Sequence, residues 1–251
     1  MPSYSLQYRS GKSGLIQFLL HTRNRLIRKV KRDLELPWMK QKEIEVLWEI
    51  LKNRRPENSL EWGCGYSTSY FTGLLKGSFK WTSIEHIEEW AAVVRKKNKG
   101  DNVEIRYVPS DVPGAKGEGT FDQYKSYIES PEKGKPYDFI LIDGRARKHC
   151  AKKAFEMIAD DGVVVIHDAN RESYLKYMRD IPHQLLLQDY RTKEGGMWIG
   201  SKALPLESVI DIEHHKKAWK VQTTISRVVQ LRFISDRFRS NKPEKGWKPA
   251  D

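Results

Sequence analysis

Residues 59–71, SLEWGCGYSTSYF, constrain this chain more than any other stretch. Leu60 and Trp62 belong to an apolar strand, Gly63 and Gly65 supply a turn, and Ser67 and Thr68 follow where a helix would open. Glycines at such a turn let a ligand approach the backbone with no Cβ in the way. The first N–H groups of the helix point at the same spot without intrahelical partners. The corner therefore predicts a site for a polar small molecule at the end of the first strand of the core.

A second strand is predicted over KWTSIEHI, residues 80–87. Glu85 lies near its end, about 20 residues after the turn, where a nucleotide-binding βαβ unit places an acid for ribose hydroxyls. The third glycine of the dinucleotide fingerprint would fall at position 68, which is Thr68, and this turns the reading away from NAD. The pattern E-x-G-x-G followed by an acidic second strand end resembles the class I S-adenosylmethionine-dependent methyltransferases, over roughly residues 38–202. The resemblance implies S-adenosylmethionine as cofactor. It puts Glu61, Gly63 and Gly65 at the cofactor's amino-acid end and Glu85 at its ribose, with Asp111, just past the third strand, near the adenine. Ser67 stands in the same turn, as a helix cap or a cofactor ligand.

Strand-like and helical runs then alternate. Helical spacing of Ile44, Leu47, Trp48 and Leu51 predicts a helix over 39–53. Strands are predicted at 58–62, 80–86, 103–108, 137–143 and 162–168, with helices at 67–76, 88–98, 147–159 and 171–180 and a short helix around 121–128. LLLQDY (185–190) and MWIGS (197–201), joined by a glycine turn, predict an antiparallel hairpin at one sheet edge. The fold class is α/β: a Rossmann-like doubly wound sheet, mostly parallel with a C-terminal antiparallel hairpin, and helices on both faces. The resemblance makes that hairpin a mark of the methyltransferase fold.

In open α/β sheets, ligands sit beyond the carboxyl ends of the strands. Here all five ends present a carboxylate: Glu61, Glu85, Asp111, Asp143 and Asp168. In LIDGRARKHC (141–150), Asp143 is a candidate for cofactor contact, metal ligation or general base. Arg145, Arg147 and Lys148 follow it and suit an anionic substrate; cations at a helix N-terminus oppose its dipole, which favours a functional reading for at least one of them. VIHDANRESY (165–174) places His167 and Asp168 near Asp143, and either could take the proton of an acceptor hydroxyl. Tyr174 joins Arg145 and Arg147 as a candidate substrate residue. In catechol-type O-methyltransferases an acid and an Asp–Asn pair bind Mg²⁺. Asp143 and Asp168 match the acids, Ala169 replaces the Asn, and Asn170 comes one residue later, so Mg²⁺ stays an open expectation.

Charge is distributed unevenly. Residues 1–32 carry eight Lys/Arg and no acid, and residues 216–251 carry a net +7, which leaves 33–215 at −3 of the chain's +12. This divides the chain into a basic helical extension (1–37), a methyltransferase domain (38–202) and a basic C-terminal helix and tail (203–251), with helices expected over 14–32 and 217–239. Basic ends suit an anionic membrane surface or a nucleic acid. Nucleic acid is the weaker partner, because the chain lacks the D/N-P-P-Y/F motif, a Pro-Cys nucleophile and a lysine in LLLQDY. A small-molecule or glycan acceptor remains, with O-methylation expected and N-methylation the lesser alternative. PWMKQKEIEVL, LIDGRAR and HDA-x-R-x-x-Y resemble, loosely, methyltransferases of glycan and surface-polysaccharide pathways. The alternatives are an RNA methyltransferase gripping phosphates with its ends, and a non-catalytic membrane-associated binding protein on the same fold. Two cysteines and no membrane-spanning apolar run predict a cytoplasmic protein, peripheral at the inner membrane face if the ends bind lipid.

Overall fold

The computed structural model describes residues 5–6, 37–132, 134, 136–169, 174, 178, 180–189, 195–215 and 231–234. Period-two alternation of apolar residues builds its centre. In Tyr137–Ile142, Phe139 and Leu141 face one layer of the core while Ile140 and Ile142 face the other. Val163 and Val165 against Val164 and Ile166 repeat the pattern in the next strand. Strands buried on both faces read as continuous apolar runs, which is why YDFILI and GVVVI stand out in the sequence.

The strands are β1 (Ser5–Leu6), β2 (Asn58–Trp62), β3 (Lys80–Glu85), β4 (Val103–Tyr107), β5 (Tyr137–Ile142), β6 (Ile158–His167), β7 (His183–Asp189), β8 (Met197–Ser201) and β9 (Leu231–Ile234). The helices are α1 (Gln41–Arg54), α2 (Tyr66–Leu74), α3 (Glu88–Lys97), α4 (Lys125–Glu129) and α5 (Arg147–Met157). Seven strands form a mixed sheet in the order β4-β3-β2-β5-β6-β8-β7, and β9 and then β1 extend it beyond β7. β4, β3, β2, β5 and β6 run parallel. β8 is antiparallel to both β6 and β7, so the expected hairpin is present.

Two differences from the sequence reading stand out. The hairpin is not the sheet's last edge, because β9 pairs antiparallel with β7, matching Leu186 to Ile234. Residues 231–234 are therefore strand, not part of the helix expected over 217–239. An edge strand's unpaired N–H and C=O groups accept another strand, and this outweighs the helical spacing of a basic segment. The rest of that range, the 14–32 helix, the 241–251 tail and most of 171–180 lie outside the described residues. No described helix is long and apolar enough to cross a membrane.

The strand order reverses between β2 and β5, which are neighbours in the sheet although two strands separate them in sequence. Such a reversal leaves a crevice at the carboxyl ends of the two strands. α1 covers one face of the sheet through Ile44, Leu47, Ile50 and Leu51. α4 and α5 cover the other through Ile128, Cys150, Ala151 and Ala154.

Candidate functional site

The loops after β2 and β5 cross in contact. Gly63 has φ +92°, and a Cβ on it would lie 2.5 Å from Gly144 Cα. Backbone bonds tie the same place together: Gly63 N–H donates to Ile84 O (2.8 Å) and Asp143 N–H to Trp62 O (2.9 Å). Gly65 is different. Its backbone is extended, and an added Cβ would have no neighbour nearer than 3.9 Å. One glycine lets two loops cross; the other leaves room in front of the backbone.

That room is a cavity of about 410 Å³ at the switch point. Its walls come from the four strand ends: Gly63–Ser67 after β2, Glu85–Ile87 after β3, Asp143–Arg145 and Arg147 after β5, and His167–Asp168 after β6. Trp38 and Trp90 complete it, with Trp38 71% exposed. Trp90 is fixed by its indole N–H donating to Cys64 O at 2.8 Å, and Tyr66 stacks edge-on against it with centroids 5.5 Å apart.

Glu61 lies beneath the glycine turn, fully buried and off the cavity wall. Four groups donate to it: Ser67 Oγ (3.1 Å), Thr68 Oγ1 (2.7 Å), Trp81 Nε1 (3.0 Å) and Ser83 Oγ (2.5 Å). Burial outweighs those donors and pushes the carboxyl up to about 7. Glu61 thus sets the position of α2's first turn, and Ser67, though on the wall, spends its hydroxyl on Glu61. Glu85 is on the wall. Its Oε1 accepts from the backbone N–H of His86 (2.8 Å) and Ile87 (2.9 Å), and its Oε2 has no hydrogen-bond partner among the described residues. Asp111 is exposed and away from the cavity. It accepts from Ser126 N–H (2.8 Å) and Ser126 Oγ (2.5 Å), bonds that hold its carboxyl low. Tyr174 is buried in the core cluster, also off the wall. Asn170 lies outside the described residues.

Around His167 the charges interlock. Its Nδ1 is 2.8 Å from Asp143 Oδ1 and its Nε2 is 3.3 Å from Glu43 Oε2. Burial alone would lower the imidazole's pKa, but Asp143, Asp168 and Glu43 raise it well above its ordinary value. His167 is therefore an imidazolium donating to a carboxylate on each side. Burial alone would raise Glu43; Lys40 and His167 instead bring it down to about 2.

Arg147 closes the group. Its Nε donates to Gly144 O (2.9 Å), Nη1 to His167 O (2.7 Å) and Nη2 to Asp143 O (3.3 Å). It pairs with Asp168 Oδ2 at 3.0 Å and Asp143 Oδ1 at 3.3 Å. Three carbonyls and two carboxylates thus hold the guanidinium, so Arg147 braces the site although it lies on the cavity wall. Asp168 is equally committed, because its Oδ1 takes the Gly195 N–H at 2.7 Å. Burial would raise its pKa, but His167 and Arg147 hold it far below the usual carboxylate range. Arg145 lines the cavity with no side-chain hydrogen bond or ion pair among the described residues.

Sequence reasoning missed Glu43, Trp38, Trp90 and Gly144. Glu43 had a signal: in α1 it occupies the apolar stripe with Leu47 and Ile50, and an acid in such a stripe needs a buried partner.

A family model described as a methyltransferase domain matches residues 60–169. Among solved structures, a proposed O-methyltransferase from Klebsiella pneumoniae aligns with TM-score 0.55 at 16% identity, over 75% of this chain and 99% of that one. A proposed caffeoyl-CoA O-methyltransferase from Staphylococcus aureus aligns with TM-score 0.50 at 16% identity, over 74% of this chain and 97% of that one. At such identity the likeness is one of fold. No curated protein matches the chain.

Proposed function

We propose, from the premise that residues 60–169 are a class I S-adenosylmethionine-dependent methyltransferase domain, that this protein methylates a hydroxyl of a small acceptor, sugars and glycans included. S-adenosylmethionine supplies a methyl group on a positively charged sulfur. The residues present fit such a group. Glu85 offers an open carboxylate oxygen at the end of β3, suited to a ribose diol. Gly65 leaves the backbone open beside it, and Trp90 and Ile87 give the cavity apolar wall.

The observation that carries the reading is that one cavity holds both Glu85 and a second, separately anchored carboxylate, Asp143. Asp143 Oδ1 is taken by His167 and Arg147, whereas Oδ2 has no hydrogen-bond partner among the described residues. Oδ2 is the atom that would accept the acceptor's hydroxyl proton, while a bound S-adenosylmethionine would supply the methyl group to the hydroxyl oxygen. His167, already protonated, is a positioning residue that fixes Asp143 instead of serving as the base. Asp168 positions too, through Arg147. Arg145 is the cavity cation left to meet an anionic acceptor.

Calorimetric titration with S-adenosylhomocysteine tests the cofactor half. Micromolar binding is expected for the native protein. Glu85→Ala should weaken it about 10- to 100-fold, the worth of hydrogen bonds to a charged group. Undiminished binding by the variant, or none by the native protein, would overturn the assignment. A screen of hydroxylated acceptors with labelled cofactor then names the substrate.

A further inference from the structure

The ends of β5 and β6 bring Asp143, His167 and Asp168 together so closely that one ligand atom from each lies within 4.8 Å of the others. Carboxylates converging in this way are what a hard divalent cation takes as ligands. The group does not fit one here, because the position is already filled. The Arg147 guanidinium reaches from the first turn of α5 and lies 3.3 Å from Asp143 Oδ1 and 3.0 Å from Asp168 Oδ2. It also holds the carbonyls of Gly144 and His167. Both ring nitrogens of His167 already face carboxylates, so none is left to ligate. A metal could reach both aspartates only by displacing a side chain that is 11% exposed and leaving those carbonyls without their donor.

We propose that Arg147 is the built-in cation of this centre: it occupies the place of a divalent metal between Asp143 and Asp168, and the protein works without one. Two carboxylates this close need a positive charge between them. A guanidinium meets that need by bridging the two carboxylates, one through each terminal nitrogen of its rigid fork, and, unlike a metal, cannot be lost to a chelator. It also explains why three cations can follow the β5 turn at the start of a helix, where the helix dipole disfavours them: Arg147 answers to the strand-end carboxylates.

The inference predicts a latent metal site that appears when the arginine goes. The experiment titrates Mn²⁺ into the full-length protein and follows free ion by electron paramagnetic resonance. The native protein should leave the free-ion signal as it is in buffer. Arg147→Met should withdraw one equivalent, Arg147→Lys none, and adding Asp168→Asn to Arg147→Met should abolish the uptake. Native protein that binds one equivalent, with Asp168→Asn removing it, would overturn the inference. So would a folded Arg147→Met that binds none. If Arg147→Met does not fold, the native and Asp168→Asn titrations still decide.

A second readout rests on the methyl-transfer reading: turnover should be unchanged in excess EDTA, and its loss there would overturn the proposal. An absence of turnover with every acceptor would count against the proposed reaction but leave the Mn²⁺ result standing, so the two failures are distinguishable.

Discussion

Glu43 and Glu61 are both fully enclosed, yet their surroundings drive them in opposite directions. Glu43 meets two cations, Lys40 at 3.8 Å and the His167 imidazolium at 3.3 Å, and stays ionised. Glu61 meets only neutral donors, and burial brings its pKa up to about 7. The same contrast separates Asp143 from Asp168. Both touch Arg147, but Gly195 and Arg147 use both oxygens of Asp168, while His167 and Arg147 converge on one oxygen of Asp143. If Oδ2 of Asp143 takes the proton, Asp143→Asn removes the base and keeps the shape. The expected result is a fall in kcat of about 10²- to 10⁴-fold with S-adenosylhomocysteine affinity unchanged. Equal losses in turnover and cofactor affinity would show that Asp143 serves binding.

At the scale of elements, the site depends on two strand–loop–helix corners that touch. β2 and β5 pair in parallel from Ser59↔Phe139 to Trp62↔Ile142, so their loops emerge side by side and cross at Gly63 and Gly144. Gly63→Ala adds a Cβ 2.5 Å from Gly144 Cα at a φ of +92°. Clash and strain together should cost on the order of 2–4 kcal/mol. Gly65→Ala meets nothing nearer than 3.9 Å, so it should leave stability within about 0.5 kcal/mol. By intruding on the ligand's room it should weaken cofactor binding about tenfold. Urea denaturation and calorimetry on both variants check this; a stable Gly63→Ala, or a Gly65→Ala that binds normally, would contradict the separation. The β2 corner was legible in the sequence because it is contiguous: strand, glycines and helix cap lie within 59–71. Gly144 was not, because only the pairing of β2 with β5 reveals what it faces. Arg147 read as a substrate ligand for the same reason. Its position after Asp143 is local, but its second carboxylate, Asp168, comes from another strand. The hairpin was legible from its glycine turn, whereas the strand at 231–234 depends on the open edge of β7, which no local pattern encodes.

At the scale of the whole molecule, Glu43, His167 and Asp143 join α1, β6 and the β5 loop in one buried charge chain, so the site and the fold share a pH dependence. Lys40 and Arg147 face the same group from the α1 cap and α5, and Asp168 from the end of β6. Glu43 is lowered from 4.5 to about 2 on folding, so the stability it contributes is present above about 4.5 and is lost as pH falls toward 2. His167 is raised from 6.5. Its contribution is complete below about 6.5 and is lost as pH rises through the folded-state value. Glu61, raised from 4.5 to about 7, acts with His167: its neutral form is favoured in the fold, and that benefit fades between those two values. These three groups therefore place a stability maximum on the mildly acidic side of neutrality, while Lys42, which burial lowers from 10.5 to about 7, works the other way and offsets part of the alkaline decline. Thermal denaturation from pH 4 to 9 should show this maximum. His167→Gln leaves Glu43 without its imidazolium, so it should lower stability by about 3–5 kcal/mol near pH 6 and flatten the decline above pH 7. Glu61→Gln should flatten only the part between about 4.5 and 7. If His167→Gln instead keeps the native alkaline slope, His167 is neutral in the fold. It would then be free to act as a base, and the proton-acceptor role assigned to Asp143 would pass to it.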